Sequence, residues 1–128
     1  MDVQYLRELA ARLASARSAT ADLNIELGRL IGYTTTTHDQ NSGGTVLWLD
    51  PGGSPTRLPL FTHSIDAARM LAERLLPRHV AAVSWGFEEQ ASARINDGPI
   101  CFGATEAIAL CGAALTTFLD EAIRSQRR

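Results

Sequence analysis

The chain has 128 residues, 45% of them apolar and 20% charged, which is the composition of one globular domain long enough to bury a single core. Its formal net charge is −2 and all twelve cationic side chains are arginine. Without a basic block there is no field to draw in a DNA or RNA polymer, and without lysine there is no Schiff base, no pyridoxal-phosphate attachment and no P-loop.

The first residues, MDVQYLRELAARLASAR, interleave charge with apolar positions at helical spacing and lack the pattern of a signal peptide. A cytoplasmic protein is therefore expected, with Cys101 and Cys111 as reduced core thiols. Asp2 caps a first helix whose stripe is Val3, Leu6, Leu9, Ala10 and Leu13. After a break at 18–21, Leu23, Leu27, Leu30 and Ile31 continue at helical spacing to Gly32, the expected left-handed stop. Residues 33–44, YTTTTHDQNSGG, show no apolar periodicity and read as an exposed loop.

TVLWL at 45–49 reads as a strand, with a turn at 50–53 and a return strand over 56–60. Ser64 caps a third helix carrying Ala68, Leu71, Ala72 and Leu75 inward, and Pro77 ends it. Residues 79–87 and 90–95 form two strand-like runs joined by Glu88 and Glu89, with Val83, Trp85 and Phe87 on one face. A turn at 96–99 leads to a short strand over 100–102. The last helix, 105–125, has an apolar arc of Ile108, Cys111, Leu115, Phe118 and Leu119 flanked by Ala107, Leu110 and Ala114. That arc is wider than one contact needs, so a homo-oligomer joined through this helix is expected. The stretch 98–119 is broken by Pro99 and Glu106 and is not a membrane span. The fold class is α+β: an antiparallel sheet of about four strands sandwiched by about four helices, in the order α-α-β-β-α-β-β-α.

FTHSIDAA at 61–68, followed by Leu71, Leu76 and Pro77, and ATEAIALCGAAL at 104–115 resemble the phage ABA-sandwich domain family. LIGY at 30–33 adds to the likeness, which spans most of residues 20–119. The resemblance implies a sheet between helices and an origin in a phage or prophage, and the leading expectation for such a protein is action in the infected host cell. It assigns helix starts to Thr62, Ser64 and Asp66 and to Thr105. Glu106 stands where such proteins often carry proline, and an acidic residue suits the same first turn. Members of this family mostly have no assigned activity, and its motifs are caps and core residues, so the likeness names a scaffold and no chemistry.

Catalytic constellations are sparse. His38, His63 and His79 sit at no metal-ligand spacing, no GxSxG elbow surrounds Ser64 or Ser84, and Cys101 has no neighbour to lower its pKa. No metal, cofactor or catalytic residue is expected. Binding has the better case. Tyr33, Trp48 and Trp85 offer flat apolar faces, Arg57 and Arg94 offer guanidinium forks, and His38 lies in the polar loop; together they suit a small nucleotide ligand. The leading expectation is a non-enzymatic binding protein, of the sponge kind that sequesters a nucleotide signal of bacterial immunity. The alternatives are an interaction module contacting a host or virion protein, and a small hydrolase using His38 or His63.

Overall fold

Local caps set where each helix begins. The computed structural model describes residues 2–38, 45–85 and 90–126, and the side chains of all of these but Thr37, His38 and Thr45. Helix α1 (Val3–Ser15) starts at Asp2, whose carboxylate accepts from the N–H groups of Gln4 and Tyr5. Helix α2 (Ala21–Leu30) starts at Thr20, whose hydroxyl accepts from Leu23 N–H. Gly32 then takes φ 104° and turns the chain away, as the sequence predicts.

Strand β1 (Thr34–His38) is a correction to the expected loop. It pairs antiparallel with β2 (Thr45–Leu49), which also pairs with β3 (Pro55–Thr56). A threonine run is β-branched and suits a pleated surface even with no apolar alternation to announce it. Thr34, Thr35 and Thr36 are exposed. The rest of that expected loop, residues 39–44, lies outside the described residues.

Helix α3 (Ile65–Leu75) is capped by Ser64, which accepts from Ala67 N–H, and buries Ala68, Leu71, Ala72 and Leu75. A second antiparallel sheet follows in the order β4 (Ala81–Trp85), β5 (Ala91–Ile95), β6 (Cys101–Gly103). Helix α4 (Glu106–Gln126) closes the fold, its first turn held by the Thr105 hydroxyl accepting from Ile108 N–H. The fold is thus α+β: the described residues form four helices and two three-stranded antiparallel sheets, where one sheet of about four strands was expected.

Helix α4 is the spine. It packs against α1 and α3 and against all three strands of the second sheet. Ile108, Cys111 and Leu115 are fully buried, joined by Leu6, Leu9, Leu13, Phe61, Leu71 and Ile95. Its wide apolar arc is therefore covered by its own chain, and the expectation of an oligomer seam on α4 loses its physical basis. Among the described residues, no helix is long and apolar enough to cross a membrane.

Candidate functional site

The second sheet has two unlike faces. Alternation and register put Val83, Ala91, Ala93, Ile95 and Gly103 toward α4. Gly103 is required there, since a Cβ on it would stand 2.6 Å from Ala109 N and 2.9 Å from Ala109 Cα. Strand β6 thus meets α4 backbone to backbone.

The opposite parity carries Ala82 and Ser84 on β4, Ser92 and Arg94 on β5, and Phe102 on β6. Val80 and Ile100 continue it just outside the strands. Val80 is 78% exposed, Ile100 58% and Phe102 59%. A depression of ≈ 220 Å³ lies on this face between Ala82, Ser84, Ser92, Arg94 and Ile100. The Ser84 and Ser92 hydroxyls, 2.6 Å apart, satisfy one another across the strands. Arg94 Nε donates to Gly98 O at 2.9 Å, so the guanidinium is braced over the β5–β6 turn. Among the described residues, this face combines Val80, Ala82, Ile100 and Phe102 with the Ser84–Ser92 pair and one positive charge, Arg94.

The outer edge of β4 adjoins a second hollow. A groove of ≈ 550 Å³ runs between α3 and β4, walled by Ile65, Arg69 and Glu73, with Pro77, Ala81 and Leu110 among its lining. At the end of β4, Trp85 is 75% exposed.

The six residues singled out as ligand contacts do not converge. Tyr33 is buried and meets the ring of Phe61 edge-on, centroids 6.3 Å apart, so it is a core side chain. Trp48 is half-buried against the core, opposite Thr35 and Thr56 in the first sheet. Arg57 is exposed just past β3, and His38 ends β1 with its side chain outside the described residues. Trp85 and Arg94 share the second sheet but have opposite parity. Trp48 and Arg57 are neighbours through the β2–β3 pairing, but Tyr33 is enclosed in the core and Trp85 and Arg94 stand on opposite faces of the other sheet, so the described side chains of this set do not form one site. Phe87, Glu88 and Glu89 lie outside the described residues.

Sequence reasoning missed the outer face. Its signal was available: apolar residues occur at both parities of this sheet, Val83 on one and Val80, Ile100 and Phe102 on the other. A sheet read as covered on both sides hides the meaning of that pattern.

Polar clusters elsewhere are structural. Tyr5 Oη donates to Glu26 Oε1 at 3.4 Å, and Arg12 pairs with the same carboxylate, tying α1 to α2. Burial, followed by the charge of Glu26 and its hydrogen bond, raises the Tyr5 pKa. Both cysteines are free thiols. Cys111 donates to Phe61 O at 3.4 Å, and burial pushes its pKa up to about 12, far from the range of a reactive thiolate. Among the described residues, no group of three or more His, Cys, Asp or Glu side chains is placed to hold a metal ion.

Compared with protein families, with curated proteins and with solved structures, the chain finds no match. The likeness to the phage ABA-sandwich family therefore rests on the segments quoted above. Of these, 61–68 and 104–115 supply the caps Ser64 and Thr105 and the buried residues Phe61, Thr62, Ala68, Ile108 and Cys111.

Proposed function

We propose that this is a binding protein that works by contact with another protein, through the outer face of the β4–β5–β6 sheet. The observation that carries the reading is the exposure of Val80, Ile100 and Phe102 on one face whose one charged side chain, among the described residues, is Arg94. Interface cores are apolar and poor in charge, enriched in aromatics and arginine, and energetically led by a few such side chains. The partner that fits presents an apolar, nearly uncharged surface with one acidic group opposite Arg94. On the resemblance to the phage ABA-sandwich family, that partner would be a host or virion protein met in an infected cell. The nucleotide-sponge reading has less support, because of its six residues Tyr33 is buried in the core and Trp85 and Arg94 lie on opposite faces of the second sheet, away from Trp48 and Arg57.

The test is photo-crosslinking from position 102 inside the cell that makes the protein, alongside an exposed control position on α1 such as Arg7. One discrete, stoichiometric product from 102, absent from the control and abolished by Arg94→Glu, supports the reading. Failure to crosslink, together with release of an intact nucleotide from the denatured protein, replaces it with the sponge.

A further inference from the structure

Strand β4 is an edge without the usual protection. Antiparallel pairing to β5 uses one side, and among the described residues nothing pairs with the other. An open edge presents a row of backbone donors and acceptors, which proteins ordinarily blunt with charge, proline or brevity. The other edges do so: β3 has two residues and includes Pro55, β6 has three residues, and β1 is a polar threonine run. Strand β4 has five residues, Ala-Ala-Val-Ser-Trp, with no charge, proline or glycine.

We infer that a second copy of this chain docks along β4, pairing Ala81–Trp85 antiparallel with its own counterpart about a two-fold axis at Val83. Three features of the edge match that arrangement. First, the register is complementary in size, because Ala81 faces the other copy's Trp85, Ala82 faces Ser84, and Val83 faces itself. Directly opposed residues share a sheet face, so each Trp85 comes to lie beside Ala81 on the groove side of the other copy. Second, the groove beyond Ala81, ≈ 550 Å³ and floored by Leu110, has room for an indole that is 75% exposed in the single chain. A tryptophan is the most productive anchor an interface can bury.

The third feature is charge. Arg69 and Glu73 stand one turn apart on α3 along the groove wall, with Nε to Oε1 at 3.3 Å and both side chains more than half exposed. Where the two α3 helices lie antiparallel across the axis, Arg69 of each copy comes opposite Glu73 of the other, a self-complementary charge pattern. The paired sheets then form six continuous strands, and the two outer faces become one broader surface. This inference stands on the β4 edge and its groove, and does not depend on what the outer face binds.

Light scattering of the full chain from 1 to 100 µM is expected to give twice the single-chain mass. Trp85→Ala and Ala81→Arg should each raise the dissociation constant at least tenfold, while circular dichroism and the urea midpoint stay near the parent values. Register is read separately in a Cys101→Ser background: Val83→Cys should form an intermolecular disulfide on mild oxidation, since the axis brings its own copy within bridging distance, whereas Ala81→Cys should not. A single-chain mass at 100 µM overturns the proposal. Equal crosslinking at 81 and 83, or a dimer that both substitutions leave intact, also overturns it.

Discussion

Thr62 makes two hydrogen bonds to one atom of Asn24: its backbone N–H reaches Oδ1 at 2.8 Å and its hydroxyl reaches the same oxygen at 2.7 Å. Both residues are buried. The Thr62 hydroxyl also accepts from Thr20 N–H at 3.2 Å, at the cap of α2. One residue along, Phe61 O receives the Cys111 thiol from α4. The segment before α3 is therefore pinned to α2 on one side and to α4 on the other. A buried group that loses its partner costs more than the bond it made, about 1–3 kcal/mol. Asn24→Ala strands the Thr62 N–H, while the Thr62 hydroxyl keeps Thr20 O at 3.3 Å as an acceptor, so the substitution should destabilise by about that amount. Urea melts in which Asn24→Ala moves stability by less than about 0.5 kcal/mol would show that the pair is incidental.

Leu71 and Leu115 are fully buried at the α3–α4 contact and in the core beside it. Truncation of either to alanine removes buried methyl groups and leaves a cavity that a close-packed interior only partly closes. Each should cost about 2–5 kcal/mol. Equilibrium unfolding of the single variants checks this, and an unchanged midpoint would place the residue at the surface.

Helices were legible in the sequence and the candidate site was not, for physical reasons. Helix ends are set by neighbours in the chain: Asp2, Thr20 and Ser64 accept N–H groups two or three residues on, and Gly32 and Pro77 act on their own backbone. A strand such as β1 carries no such local marker, because its threonines satisfy a pleated backbone without burying a face. Which face of a sheet is covered is decided by distant packing. Val83 and Phe102 read alike as apolar strand residues, yet α4 lies against one and solvent against the other. Tyr33 failed as a ligand candidate for the same reason, its ring being claimed by Phe61 from a later segment.

Alkaline stability should depend on Cys111. Burial pushes its thiol up to about 12 from an ordinary 9.0. Above pH 9 the unfolded chain releases this proton while the folded chain retains it, so the folded state binds more protons and stability falls as pH rises. The contribution is complete below about pH 9 and is lost progressively toward about pH 12. Three pH units correspond to about 4 kcal/mol at most. Tyr5, also raised, adds a loss of the same sign. The measurement is the slope of unfolding free energy against pH for the parent and for Cys111→Ala. The variant should show the shallower alkaline slope whatever its stability at neutral pH, and parallel curves would mean that the thiol ionises as freely folded as unfolded.

Gly103 and Gly112 should respond in opposite ways to alanine. At Gly103 the new Cβ meets backbone, Ala109 N at 2.6 Å and Ala109 Cα at 2.9 Å, and neither atom can rotate aside. Strand β6 or the start of α4 must shift, which costs about 1–3 kcal/mol by the usual measure of overpacking. Because β6 carries Phe102, the shift should also weaken crosslinking from that position. At Gly112 nothing lies within 4 Å of the added carbon. The residue sits inside α4, where alanine is favoured over glycine by about 0.8–1.0 kcal/mol, so Gly112→Ala should raise the urea midpoint. The same variant separates two modes of self-association. If copies met through the small residues of α4, an added methyl group at 112 would intrude on the contact and reduce the dimer mass seen by light scattering. If they meet along β4, the mass is unchanged and only stability increases. A Gly112→Ala protein that is both less stable and less associated would put the seam back on α4, against the burial of that helix by its own chain.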